Sequence, residues 1–321
     1  LFALLLMAAG LAAGSAEAQP FHAGVARIAV PADTPPAALV WYPTEADEEP
    51  WQLGVVPMPA TRDAAVAAGR FPVVLLSHGG GASGGSPLML RALSVALARQ
   101  GMIVVAPFHG PLLRTLVTRP RQTAEALQVL LADERFAPHA DPARVGMVGF
   151  SLGGGIALLV AGGRVDMAHW AAYCTDHHED YRACSGVPSG APSGAPSGSE
   201  AAEAGVLPAA PSLPLKALVL LDPFGAVFTR DSLSSVVMPV LILHPVGSDL
   251  SESGNAEAVA EALPNVPQYE RIAGTHFIFA DSCIGLPEQS ADWCQDPPGV
   301  DRAAVHAQVE AMIVAFLRGA L

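Results

Sequence analysis

The stretch Gly149-Phe150-Ser151-Leu152-Gly153 sets a hydroxyl between two glycines, after the apolar run Arg144 to Gly149 and before the helix-forming stretch Leu152 to Gly162. Serine adds nothing to a core and glycine costs entropy, so the composition points to a tight strand-to-helix turn that lifts the hydroxyl above a sheet edge. Small neighbours prevent clashes at such a turn. The start of the following helix presents unpaired N–H groups and the positive end of its dipole, which favours an oxyanion beside the serine. Ser151 therefore reads as a nucleophile.

A serine hydroxyl is weak until a base takes its proton, and that base must come from elsewhere in the chain. His244, His276 and His306 compete for the role. His244 ends an apolar run and His306 falls in the last helical stretch. His276 lies in the loop Ala273-Gly274-Thr275-His276-Phe277, from which a ring can swing over the serine, and it is the expected base. Two carboxylates could hold its tautomer: Asp249, in Pro245-Val246-Gly247-Ser248-Asp249, and Asp222, in Leu220-Leu221-Asp222-Pro223-Phe224. The turn after the penultimate strand is the commoner place for such an acid, so Asp249 is preferred and Asp222 is the alternative. Upstream, Leu76-Ser77-His78-Gly79-Gly80-Gly81 follows a buried run, where a backbone N–H can donate to an oxyanion. The expected donors are the amides of Gly80 and Leu152, with His78 as a structural hydrogen-bonding group. The cluster Asp176-His177-His178-Glu179-Asp180 reads as a solvated charged loop, and no metal site is expected.

These residues need a scaffold, and the chain supplies a regular alternation. Short apolar runs at Gly24 to Val30, Ala37 to Tyr42, Phe71 to Ser77, Met102 to Pro107, Arg144 to Gly149, Leu215 to Asp222 and Pro239 to His244 suit strands, with another at Gln268 to Ile272. Helical stretches lie at Pro87 to Arg99, Arg121 to Glu134 and Leu152 to Gly162. Val305, Val309, Met312, Ile313 and Phe316 recur at helical spacing in Asp301 to Leu321. The alternation implies an α/β class with a mostly parallel central sheet and helices on both faces. The rhythm breaks over residues 164–214, read as an insertion after the nucleophile helix. Its tandem Ala-Pro-Ser-Gly repeat from Pro188 to Gly198 cannot bury enough apolar surface to order itself and is expected to be a flexible loop.

With 321 residues, 51% of them hydrophobic, the chain can bury a large core. Thirty acidic residues outnumber seventeen basic ones and Lys216 is the only lysine, so nucleic acid is not an expected partner. Leu1 to Ala13 is an apolar run too short for a comfortable membrane span, followed by the small-x-small site Ala16-Glu17-Ala18. Residues 1–18 read as a secretory signal peptide, with a single domain over 19–321, no obligate membrane anchor, and a periplasmic or extracellular location. Export makes disulfides expected, and the simplest pairing is Cys174 with Cys184 and Cys283 with Cys294.

Phe71-Pro72-Val73-Val74-Leu75-Leu76-Ser77-His78-Gly79, Gly149-Phe150-Ser151-Leu152-Gly153-Gly154, Met238-Pro239-Val240-Leu241-Ile242 and Gly274-Thr275-His276-Phe277 together resemble the α/β-hydrolase superfamily. Within it the chain is most similar to bacterial predicted dienelactone hydrolases and to platelet-activating-factor acetylhydrolase-like serine esterases. The likeness covers nearly everything after the leader and extends to Cys294 to Arg302. It implies the α/β-hydrolase fold, no cofactor, and a small-molecule or lipid-like ester substrate cleaved through an acyl-enzyme. True dienelactone hydrolases use a cysteine nucleophile, so Ser151 points to ordinary ester hydrolysis. In the acetylhydrolase-like group the acid follows the strand after the nucleophile helix, which would be Asp222. An amidase or peptidase using the same residues, or a non-catalytic binding protein on this fold, are the alternatives.

Overall fold

A computed structural model describes residues 21–30, 37–80, 85–109, 115–185, 207–282, 291 and 294–321. The leader reading, the Ala-Pro-Ser-Gly repeat and Cys283 lie outside these residues. The strands, in chain order, are β1 (His22–Ala29), β2 (Ala37–Thr44), β3 (Trp51–Leu53), β4 (Val56–Met58), β5 (Thr61–Arg62), β6 (Phe71–Ser77), β7 (Ile103–Pro107), β8 (Ala140–Phe150), β9 (Ala217–Leu221), β10 (Val240–Pro245) and β11 (Gln268–Ile272). The helices are α1 (Arg91–Arg99), α2 (Thr115–Ala132), α3 (Leu152–Val160), α4 (Met167–Asp176), α5 (Tyr181–Cys184), α6 (Ala256–Ala262) and α7 (Arg302–Ala320).

Nine strands form one sheet in the order β11-β10-β9-β8-β6-β7-β2-β1-β5, while β3 and β4 pair separately. From β11 to β7 every pairing is parallel; β2 runs antiparallel to β7 and to β1. The protein is thus an α/β fold on a mostly parallel sheet. Both faces are covered, which explains the near-continuous apolar runs. Along β6, Val73 and Leu75 join a core with Leu127, Leu130 and Ile156 from α2 and α3. Val74 and Leu76 point the other way, into a core with Leu93 and Leu97 of α1 and Val305, Val309, Ile313 and Leu317 of α7. That four-residue spacing on α7 is the apolar stripe legible in the sequence.

After β6 the chain moves to β7 on one side and returns to β8 on the other. Such a switch opens a crevice beyond the carboxyl ends of the strands, where ligands of open α/β sheets bind. Ser77, Ser151, Asp222, Val246 and His276 all stand at or just beyond those ends.

The sequence missed several elements. Residues 51–62 contain three short strands, and α6 is only seven residues long. Helix α2 begins at Thr115, upstream of Pro120, rather than at Arg121. The expected loop after α3 is partly helical, because Asp166 caps α4 by accepting from His169 N and Asp180 caps α5 by accepting from Ala183 N. Asp180, read as solvated, is buried and also accepts from Tyr173 Oη and Asn255 Nδ2. A disulfide joins Cys174 of α4 to Cys184 of α5, and closing so short a loop restricts the unfolded chain by about 3 kcal/mol.

The segment after β11 is pinned from behind. Arg302 Nη1 donates to Phe277 O and Ala280 O, and His306 Nε2 donates to Ile278 O at 2.6 Å. Asp281 accepts from Ala92 N at 3.0 Å, at the start of α1, and pairs with Arg91 at 3.2 Å. Burial pushes the Asp281 carboxyl up to about 6, against the opposing pull of Arg91 and the backbone donors. A folded state that holds this proton more tightly than an unfolded one, with its carboxyl near 3.9, loses stability as pH rises from about 4 to about 6. Asp281→Asn should remove that slope, so its stability relative to the parent, read from urea midpoints, should rise by roughly 2–3 kcal/mol between pH 4 and pH 7. A constant difference across that range contradicts the burial argument.

Candidate active site

Ser151 occupies a turn that an L-residue rarely adopts, with φ 54° and ψ −121°. Strain of this kind costs about 1–3 kcal/mol and persists only where the surroundings enforce it. Here they do. Ser151 N donates to Leu221 O, while Ser151 O accepts from Phe224 N and Gly154 N. The flanking glycines are required by close approach: a Cβ on Gly149 would lie 2.3 Å from Gly153 O, and one on Gly153 would lie 2.0 Å from Ser77 O.

The same bonds link the serine turn to the end of β9, where Asp222 also takes a positive φ of 42°. Asp222 N in turn donates to Leu243 O of β10, and the turn after β10 reaches the His276 loop through Val246 N to Ile272 O and Gly247 N to Gly274 O. Backbone hydrogen bonds therefore link the serine turn, the end of β9, the end of β10 and the loop that leads to His276.

His276 Nε2 lies 3.0 Å from Ser151 Oγ, and its Nδ1 lies 2.6 Å from Asp222 Oδ2. An ionised carboxylate can only accept, so Nδ1 carries the proton and Nε2 faces the hydroxyl as an acceptor. The imidazole and the carboxylate are buried, with the Phe150 ring 5.0 Å from the imidazole, while Ser151 is half-buried. Burial alone would raise the Asp222 pKa. Hydrogen bonds from His244, His276 and Ser248 outweigh it and hold the carboxylate below its ordinary value. His244 Nδ1 donates to Oδ1 at 2.7 Å, and Ser248 Oγ donates to Oδ2. Such an array can draw the serine proton onto imidazole as the oxygen attacks a carbonyl, while the carboxylate steadies the imidazolium.

The acid preferred from the sequence is not the one that meets the histidine. Asp249 instead accepts from Arg182 Nε and Nη2, both at 2.5 Å, and from Tyr181 Oη at 2.8 Å. The chain places Asp249 at the outer rim, where the α5 guanidinium neutralises it and also stacks 4.9 Å over the Phe277 ring. Nor are the three competing histidines rivals, since His244 holds Asp222 and His306 holds the turn that bears His276. A histidine ending the strand next to an acid-bearing strand was the available signal for His244; Ser248 gave none.

Of the expected oxyanion donors, Leu152 is the first residue of α3 and so has no carbonyl one turn back within the helix. Gly80 lies in the loop after β6, which runs against the serine turn: a Cβ on Gly79 would stand 3.0 Å from Ser151 Cβ. His78 is buried and donates from Nδ1 to Gly79 O at 2.7 Å. Its pKa falls to about 3, through burial first and the Arg119 charge second, so it stays neutral. No group of three or more His, Cys, Asp or Glu among the described residues could hold a metal ion, and the cluster from Asp176 to Asp180 does not converge.

Asp222→Asn should favour the wrong imidazole tautomer, with the proton on Nε2, and cost about 10³–10⁴-fold in turnover of any substrate that acylates Ser151. Asp249→Asn should cost less than about tenfold, because a rim ion pair contributes little. Parallel steady-state kinetics decide between them, and the reverse ranking would reinstate Asp249.

No protein-family model matches the chain, and no curated protein matches it.

Proposed function

We propose that the protein is a serine hydrolase that cleaves carboxylic esters through an acyl-enzyme, on an α/β-hydrolase fold. The observation that supports it best is the continuous Ser151–His276–Asp222 array, with both ring nitrogens of His276 engaged at 3.0 and 2.6 Å. Asp222 also stands where the resemblance to platelet-activating-factor acetylhydrolase-like esterases puts the acid.

In the first half-reaction Ser151 Oγ attacks the ester carbonyl as His276 Nε2 takes its proton. The carbonyl oxygen becomes an oxyanion that the amides of Leu152 and Gly80 would stabilise. Collapse breaks the bond to the alcohol oxygen, which leaves with the proton from His276. Water then attacks the acyl-Ser151 carbonyl, gives its proton to His276, and the carboxylic acid departs as Ser151 regains its hydrogen. Every proton is returned, and no cofactor enters the cycle. The Cys174–Cys184 disulfide suits an oxidising compartment, in keeping with a periplasmic or extracellular enzyme.

Ser151→Ala should eliminate hydrolysis of short p-nitrophenyl esters, with at least about a 10³-fold fall in kcat and an unchanged circular-dichroism spectrum. Matched p-nitroanilides should turn over far more slowly than the esters in the parent protein. Full activity in the alanine variant would refute the nucleophile, and faster anilide turnover would replace the esterase with an amidase.

A further inference from the structure

The loop after β6 carries three successive carbonyls, and each has a side-chain donor. Arg119 Nη1 donates to His78 O at 2.9 Å, His78 Nδ1 to Gly79 O at 2.7 Å, and Arg119 Nη2 to Gly80 O at 2.8 Å. In a planar trans peptide the carbonyl and the following N–H point in opposite directions, so tying each oxygen fixes the direction of the next N–H. Gly80 N–H, an expected oxyanion donor, belongs to the middle unit.

Arg119 is an unusual residue to find behind this loop. It is only 1% exposed, no described carboxylate pairs with it, and its Nε has no hydrogen-bond partner among the described residues. Burying a cation without a counter-charge is costly, and a core helix could carry an apolar residue there instead. Burial lowers the guanidinium pKa to about 10, which leaves it charged at neutral pH. Its carbonyl is held by Thr123 Oγ1 at 2.8 Å, one turn along α2, so the backbone that carries it is itself restrained. Two carbonyls bonded to one buried guanidinium fix the peptide planes immediately before and after the Gly79–Gly80 unit, and with them the direction in which Gly80 N–H points.

We infer that Arg119 is the positioning residue of the oxyanion loop: it clamps the peptide units on either side of the one that carries the Gly80 amide. The inference rests on the proposed hydrolysis at Ser151 and adds to it a residue that touches neither substrate nor serine. A guanidinium fork can serve two carbonyls at once, whereas an ammonium on a shorter reach serves one. Arg119→Lys should therefore act as a partial lesion and Arg119→Met as a full one.

The test compares parent, Arg119→Lys and Arg119→Met for p-nitrophenyl ester kinetics, for inhibition by a trifluoromethyl ketone, and for amide hydrogen exchange at Gly79 and Gly80. The expected result is a fall in kcat of about 10²-fold for methionine, the scale of losing one oxyanion donor, with KM within about threefold and lysine in between. Inhibitor affinity should fall in parallel with kcat/KM, and loop amides should exchange at least about tenfold faster. If Arg119→Met does not fold, the lysine variant carries the test on the same readouts. Unchanged kcat and unchanged exchange in a folded variant overturn the clamp, as does a loss confined to KM or to thermal stability. A parent protein that hydrolyses no ester, with exchange still accelerated by the substitution, would remove the hydrolase reading and leave the clamp standing.

Discussion

The buried Asp222 carboxylate is the constraint from which the rest of the site follows. A charge without solvent must be met by donors, and three side chains meet this one: His276 and Ser248 on one oxygen, His244 on the other. With both oxygens held by donors, the carboxylate is restrained against rotation, and the imidazole it holds is committed to one tautomer with Nε2 toward Ser151. Beyond His244 the chain of groups continues to Glu252, whose Oε2 lies 3.7 Å from His244 Nε2 and which is itself held by Tyr269 and Arg271. The acid is thus supported from β10 and β11 as well as from its own strand.

This arrangement needs the parallel sheet. Strands β6, β8, β9, β10 and β11 all end at the same edge, so loops distant in sequence arrive side by side. Their backbones then bond to one another: the serine turn to the end of β9, the end of β9 to β10, and the turn after β10 to the His276 loop. Two positive φ values, at Ser151 and Asp222, sit inside that mesh. Strain at these positions is held in place by interlocked neighbours, each of which would have to move for either residue to relax. On the opposite side of the serine, Arg119 of α2 and His78, the residue after β6, bond the three carbonyls of the loop that leaves β6.

Much of this was legible in the sequence, and the reasons are physical. Strands buried on both faces are continuous apolar runs, and β6, β7, β8, β9 and β10 fall close to where those runs lie. The serine was legible because only a tight elbow explains glycines at 149 and 153, and their Cβ clashes with backbone oxygens give the cause. The acid was not. Asp222 and Asp249 both follow strands at the correct edge, and what separates them is Arg182, which arrives from α5 and pairs with Asp249. A decision made by a residue 67 positions away leaves no local trace. Helices α4 and α5 were obscured by the repeat that follows them, and α6 and the small strands of residues 51–62 are too short for periodicity to register.

On the proposed mechanism, Ser151 becomes a covalent carrier because His276, aligned by Asp222, removes its proton. Rapid quenching of the protein with a slow p-nitrophenyl ester, followed by peptide mass spectrometry, reads that event itself. That mechanism predicts one acyl group per chain, on the peptide containing Ser151, formed in a burst before steady turnover. An acyl group on another residue, or turnover with no acylated peptide at any time, would contradict it.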